Sequence, residues 1–245
     1  MNANGNNGFE FTSTLTKKET IATLIYFPFH LILVPMILGI MLSSGKISET
    51  DANIMCYAVG LMYFLIVDVK YLRREFDPLC DNILGCLWQV VLCYAIMMAI
   101  NMIVSGTITG IEYIFSGNEV LTENQNNDAI VDMAGREMGK TKAIAVFLAP
   151  IVEEVLFRGG LFCTIHKKNR LLAYAVSMLA FSVYHVWGYA AADPTYWIYI
   201  IQYIPASYVL CRCYEKTNSI WASIMLHMCV NNIALQVLTA AEELL

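Results

Sequence analysis

The chain has 245 residues, of which 58% are hydrophobic and only 14% are charged, and its formal net charge is -5. A soluble domain usually carries about a quarter charged residues, so this composition argues against a soluble fold and indicates a protein embedded in the lipid bilayer. The basic residues form no continuous stripe, and we therefore expect no nucleic-acid partner.

The predicted elements begin after a polar, Asn- and Gly-rich start, which we predict to be a disordered tail over residues 1–19. A membrane-spanning helix needs about 20 predominantly apolar residues. Seven segments meet this requirement, at about 20–42, 52–70, 83–106, 141–163, 170–187, 195–213 and 219–240. The short apolar run 107–115 could extend the third segment, lie in the membrane interface or belong to an eighth span. We predict an all-α, polytopic transmembrane helical bundle of about seven spans, with eight as the alternative.

The spans fall into two blocks. N-terminal helices occupy residues 20–115, a polar loop occupies 116–140, and a second helical core occupies 141–240. With a cytoplasmic N-terminus, the inside loops hold ten basic residues: Lys17, Lys18, Lys70, Arg73, Arg74, Lys167, Lys168, Arg170, Arg212 and Lys216. The outside loops then hold four: Lys46, Arg136, Lys140 and Lys142. This bias follows the positive-inside rule, and it predicts a multi-pass cell-membrane protein whose N-terminus is cytoplasmic.

The fourth predicted span contains three charged residues, Glu153, Glu154 and Arg158. Each costs roughly 2.5–3.5 kcal/mol at bilayer depth, so these side chains should face the bundle interior and have partners there. Glu154 and Arg158 are four residues apart and can form an ion pair, whereas Glu153 points about 100° away. We expect Glu153 to be available for chemistry; the alternative is a purely structural pair. Gly159 and Gly160 should allow a neighbouring helix to approach closely.

Two later spans carry the other polar candidates. His185 lies near the end of the fifth span, while His227 and Asn231 are four residues apart on the seventh. An imidazole and an amide on one helix face can donate two hydrogen bonds to one oxygen, as an oxyanion hole requires. The alternative is a pair of interhelical hydrogen bonds, worth about 0.6 kcal/mol each.

Taken together, Glu153-Glu154-x-x-x-Arg158, Phe181-x-x-x-His185 and His227-x-x-x-Asn231 resemble the three motifs of the CPBP family. That family comprises CAAX prenyl endopeptidases and bacteriocin-processing or bacteriocin-immunity (Abi) membrane proteins. The resemblance covers about Ala143 to Ala240. It implies that Glu153 activates a water with the help of His185, that His227 and Asn231 stabilise the oxyanion, and that Glu154 and Arg158 support the site. The compact chain is more similar to the bacterial branch, some of whose members act as immunity or regulatory proteins.

We therefore predict an intramembrane endopeptidase that cleaves a peptide or membrane-protein substrate within the lipid bilayer and uses neither a metal nor another cofactor. The resemblance suggests roles in bacteriocin processing, self-immunity or signalling. One alternative is a non-catalytic immunity or regulatory protein that binds a membrane sensor or another partner of a bacteriocin system. A second is a zinc-dependent membrane peptidase, because two histidines and a glutamate can make a three-ligand zinc site. A transporter or proton relay is the third.

Overall fold

The structure is a computed structural model that describes residues 10–116 and 125–242. This part of the chain is almost entirely helical and contains no strand, which confirms the predicted all-α class. We number the helices α1 (Lys17–Ser43), α2 (Glu49–Val67), α3 (Val69–Arg74), α4 (Asp77–Asp81), α5 (Ile83–Ser116), α6 (Gln125–Lys142), α7 (residues 143–166), α8 (Arg170–Ala192), α9 (Ile200–Thr217) and α10 (Ile220–Glu242). A short 3-10 helix, Pro194–Tyr199, precedes α9.

Local capping explains where several helices begin and end. The side chain of Thr16 accepts a hydrogen bond from the backbone of Glu19, whose own side chain accepts one from Thr16, and this capping box starts α1. Ser48 caps α2 and Asn169 caps α8 in the simpler one-sided way. Helix α9 ends at Asn218, whose φ of 53° lies in the left-handed region that asparagine tolerates.

Helix α7 has an unusual backbone. Its π-helical stretches, Ala143–Leu148 and Val155–Cys163, flank a short α-helical stretch, Ala149–Glu154. Pro150, which has no backbone N–H to donate, lies in the first turn of that α-helical stretch, and the helix passes through it without interruption. Because π-helical turns occur frequently at functional sites, this backbone favours α7 as the helix that carries the functional residues.

Five helices in the described part of the chain are long and apolar enough to cross a membrane: Lys17–Ser43, Glu49–Val67, Ile83–Thr107, Arg170–Ala192 and Ile220–Ala241. The predicted spans 141–163 and 195–213 are helical but are not among them. The first carries Glu153, Glu154 and Arg158, and the second begins in the 3-10 helix. Both sit in the protein interior, so they do not need the apolar surface of a lipid-facing helix. The total of seven spans and the cytoplasmic N-terminus stay predictions.

Helices α7 and α9 form the buried centre, and α1, α2, α5, α8 and α10 surround them. Gly159 and Gly160, which we expect to allow a close approach between helices, explain part of this packing. A Cβ atom on Gly159 would lie 3.2 Å from the ring of Tyr71, and one on Gly160 would lie 2.9 Å from Cγ2 of Thr23. The close approach predicted for this pair of glycines is therefore confirmed.

The beginning of the chain is more ordered than we predicted. Residues 1–9 of the predicted disordered tail lie outside the described residues, but residues 10–16, which we call the N-terminal segment, pack against the bundle, and α1 already begins at Lys17. Within the segment, the hydroxyl of Ser13 hydrogen-bonds to Glu75 and Tyr214. The backbone N–H of Thr12 donates to Oδ1 of Asn218 at 2.7 Å.

The predicted polar loop 116–140 also differs. Residues 117–124 lie outside the described residues, whereas the stretch from Gln125 onwards is α6, a helix with a non-helical break at Glu137. The run 107–115 extends α5, which was one of the three options left open for it. Helix α6 is tied to α2 by an ion pair between Lys140 and Asp51 at 2.9 Å, so it forms part of the folded bundle.

Candidate active site

Three helices bring Glu153, His185 and His227 together. The Nε2 atoms of both histidines lie 3.8 Å from Oε2 of Glu153. Glu153 and His227 are buried and His185 is half-buried. His185 lies fifteen residues into α8 and His227 only seven residues into α10. Measured from the start of its helix, His185 therefore lies about 12 Å further along than His227 does.

Hydrogen bonds fix the proton positions on both histidines. Nδ1 of His185 lies 2.9 Å from the carbonyl oxygen of Phe181, which can only accept, so this nitrogen must donate. Nδ1 of His227 lies 2.9 Å from Oε1 of Glu154 and donates to that carboxylate. In the neutral rings, the Nε2 lone pairs are then left facing Glu153. Three electron-rich atoms, one oxygen and two nitrogens, thus converge on one position.

The predicted ion pair anchors this arrangement. Nη1 of Arg158 donates to Oε1 of Glu154 at 3.0 Å, and neither side chain is exposed at all. The hydroxyl of Ser223 donates to the second oxygen of Glu154 at 2.6 Å. Nη2 of Arg158 reaches the carbonyl and hydroxyl oxygens of Ser207 at 3.2 and 3.0 Å, and the guanidinium lies 4.4 Å from the centre of the Phe181 ring. Glu154 is therefore a fully bonded carboxylate that positions His227.

A chain of hydroxyl groups holds the other oxygen of Glu153. The hydroxyl of Tyr57 donates to Oε1 of Glu153 at 2.9 Å and lies 2.9 Å from the hydroxyl of Tyr184. That hydroxyl in turn lies 3.1 Å from Nε2 of His30. Because Tyr57 holds Oε1, Oε2 is the oxygen that faces His185 and His227.

Asn231 lies beside this centre, one helical turn after His227. Its Nδ2 donates to the carbonyl oxygen of Ala145 at 2.8 Å, within the first π-helical stretch of α7. One amide hydrogen is thereby engaged, and the second amide hydrogen remains for another acceptor. Asn231 lines the same cavity as both histidines. The structure thus brings Glu153, His185 and His227 into direct proximity and places Asn231 at the edge of the group.

That cavity, which we call the large cavity, has a volume of about 560 Å³. Phe181, His185, His227 and Asn231 form its wall at the site, and residues of α5, α6, α7, α9 and α10 form the rest. Its size is in the range of about 300–1,000 Å³ that ligand sites usually have.

Comparison with known protein families assigns the part of the chain that carries these residues. Residues 141–233 match the family model described as type II CAAX prenyl endopeptidase Rce1-like. They form an Rce1-like domain. The match confirms the resemblance to the CPBP family, and at the level of the family it supports a membrane protease that acts on a peptide or protein substrate. No curated protein and no solved structure matches the chain significantly.

Part of the site lies outside the Rce1-like domain. Tyr57 on α2 and His30 on α1 belong to the N-terminal helices, whose sequences gave no specific signal. Tyrosines are frequent in membrane helices, so a tyrosine in an apolar stretch of sequence does not by itself indicate a functional residue. Tyr184, the link between them, directly precedes His185, and that adjacency was the only available hint. The N-terminal helices complete the surroundings of Glu153.

Proposed function

We propose that the protein is an intramembrane endopeptidase in which Glu153 activates a water molecule. The observation that supports this most directly is the approach of both Nε2 atoms to Oε2 of Glu153 at 3.8 Å. These distances are too long for direct hydrogen bonds. They suit a water held between the three atoms, which donates one hydrogen bond to Oε2 and one to an Nε2 atom, and accepts one from the other ring when that ring carries a proton on Nε2.

The reaction then proceeds in two steps. Glu153 takes a proton from the water while the water oxygen bonds to the carbonyl carbon of the substrate, and the carbonyl π electrons move to the oxygen. When this tetrahedral intermediate collapses, the C–N bond breaks, and Glu153 returns the proton to the leaving amine. His185, fixed by Phe181, orients the water through its Nε2 atom.

His227 and Asn231 are our candidates for stabilising the oxyanion. Because Nδ1 of His227 already donates to Glu154, its Nε2 can donate to an oxyanion only when the ring is doubly protonated. The buried carboxylate of Glu154 stabilises that imidazolium form, as the aspartate does in serine-protease triads. Asn231 would contribute its second amide hydrogen. Preorganised donors of this kind typically contribute about 2.7–4 kcal/mol each.

The large cavity is the candidate substrate site, since it opens directly beside His227 and Asn231 and contains both apolar and amide side chains. We propose that it takes a peptide or a segment of a membrane protein, in bacteriocin processing, self-immunity or signalling.

The test is a comparison of membranes that contain either the wild-type chain or Glu153→Gln, which keeps the shape of the side chain and removes the base. New protein N-termini would be identified by mass spectrometry. We expect a set of cleavage products to be lost and their precursors to accumulate in the variant, at equal protein abundance and melting temperature. Identical products would refute the glutamate mechanism, and a preserved phenotype with identical products would favour the non-catalytic immunity or regulatory role.

The zinc alternative rests on the same convergence of three electron-rich atoms. Tetrahedral zinc with ligand bonds of about 2.0–2.1 Å places its ligand atoms about 3.3 Å apart, which is closer than the 3.8 Å found for Oε2 of Glu153 and each Nε2. Loss of cleavage with phenanthroline and its recovery with added zinc would favour this alternative over water activation by glutamate alone.

A further inference from the structure

A second, smaller cavity also borders His185. Its volume is about 250 Å³, and the polar part of its wall includes His30, Asn53, Tyr57, Asn126, Tyr184 and His185. His185 and Asn126 also line the large cavity. Apart from these two shared residues the walls differ, since the small cavity is bounded by α1, α2 and α8 and the large cavity mainly by α5, α9 and α10.

The two cavities differ in volume, and therefore in the molecules that they can hold. A buried water needs about 10–15 Å³ of such cavity volume, so 250 Å³ has room for several waters. The same volume is below the range of about 300–1,000 Å³ typical of ligand sites, whereas the large cavity is within it. The wall of the small cavity also supplies the hydroxyl, amide and imidazole groups that water needs as partners.

Two residues in the wall of the small cavity lie next to the oxygens of Glu153. Tyr57, which forms part of its wall, donates to Oε1 at 2.9 Å, and His185, which forms another part, places Nε2 3.8 Å from Oε2. A peptide seated in the large cavity would cover His227 and Asn231 and close that side to solvent. Water for each hydrolysis would then have to arrive from the other side.

We propose that the small cavity is a separate aqueous entrance that delivers water to Glu153 while the peptide occupies the large cavity. This inference rests on the proposed function, because it assigns the route of the water that Glu153 activates. It predicts that the small cavity is hydrated even though part of its wall belongs to α8, a helix long and apolar enough to cross the membrane.

Two glycines provide a matched test of hydration. Gly188 lines the small cavity and Gly39 does not, and a Cβ atom on either would have no atom within 4 Å. Gly188 lies four residues before the end of α8 at Ala192, and Gly39 four residues before the end of α1 at Ser43. The full-length variants Gly188→Cys and Gly39→Cys would be treated in vesicles with the cationic thiol reagent 2-(trimethylammonium)ethyl methanethiosulfonate, and mass spectrometry would locate the label.

We expect Gly188→Cys to react at least about tenfold faster than Gly39→Cys, because a thiol surrounded by lipid stays protonated and out of reach of the reagent. Equal rates, or no label at position 188, would overturn the proposed entrance. This result needs no substrate, so a dry cavity would overturn the entrance whether or not Glu153→Gln shows that the protein cleaves a substrate.

The second arm blocks the entrance. Gly188→Trp should reduce Glu153-dependent cleavage by at least about tenfold, whereas Gly39→Trp should cleave at the wild-type rate. The comparison requires that the two variants have equal melting temperatures. If tryptophan at position 188 destabilises the chain, Gly188→Leu is used instead. Loss of cleavage in Glu153→Gln together with equal cleavage by the two glycine variants would overturn the entrance and leave the proposed function intact.

Discussion

Replacing Arg158 by methionine should destabilise the protein strongly. The substitution keeps an unbranched chain of similar length but removes the guanidinium, and with it the 3.0 Å ion pair to Glu154 and both contacts to Ser207. Because neither partner of the pair is exposed, Glu154 would be left as an uncompensated buried charge. Removing one partner of such a pair costs about 3–5 kcal/mol. At about 2–4 °C per kcal/mol for a chain of this size, the melting temperature should fall by about 6–20 °C.

The assay is thermal unfolding in detergent, and the chain offers a matched control. Arg136 forms an ion pair with Asp132 at 2.6 Å with the same four-residue spacing, but about two thirds of each side chain is exposed. Arg136→Met should therefore change the melting temperature little. The double variant Glu154→Gln/Arg158→Met should recover part of the loss, since it removes the stranded charge. Equal melting temperatures for Arg158→Met and Arg136→Met would refute the conclusion that Glu154 is held as a buried, paired carboxylate.

Two other substitutions test the surroundings of the site. Tyr57→Phe should slow Glu153-dependent cleavage by about 10- to 150-fold at unchanged KM, because a hydrogen bond to a charged group contributes about 1.5–3 kcal/mol. Tyr63→Phe, also on α2, removes a 2.9 Å bond to the carbonyl oxygen of Ala22 on α1 and should not slow cleavage; equal losses would contradict the positioning role of Tyr57. Burial raises the pKa of Glu75 from 4.5 to about 7, against the opposing hydrogen bonds from Ser13 and from the backbone of Ile220. Glu75 therefore stabilises the fold fully below about pH 4.5. About 3 kcal/mol of the free energy of unfolding is then lost as the pH rises from about 4.5 through 7. The melting temperature should fall over this range in the wild type and fall less in Glu75→Gln, where Asp68, whose pKa burial raises to about 6, still contributes; an equal fall in both proteins would contradict the shift.

The features that depend on neighbours in the sequence were predictable. Glu154 and Arg158 pair because four residues make about one helical turn, and that relation holds wherever the helix lies. The approach of Gly159 and Gly160 to neighbouring helices followed from their missing side chains. The meeting of His185 with His227 was different, since the spans alone placed the two histidines at different depths. Only the motif resemblance suggested that they meet, and tertiary packing brings both to Glu153.

The parts that sequence did not reveal share a physical cause, because each depends on contacts between distant segments. Helix α6 has a polar composition typical of a loop, yet Ile130 and Ala134, four residues apart, pack with Val146 and Leu235. The N-terminal segment was similarly hidden, because its polar composition gave no sign that Leu15 is buried in the core.

The docking of the N-terminal segment has a consequence for how the chain is made. Residues 10–16 leave the ribosome about 200 residues before their partners Tyr214 and Asn218. The segment can meet Glu75 earlier, but its contacts are not complete until α9 has been inserted and the turn into α10 exists. Its final docking is therefore a late step of biogenesis that joins the start of α1 to the end of α9. A chain that stalls before residue 214 would leave Phe11 without its contact to Tyr214, and incompletely buried apolar side chains of this kind are what chaperones recognise in unfinished proteins.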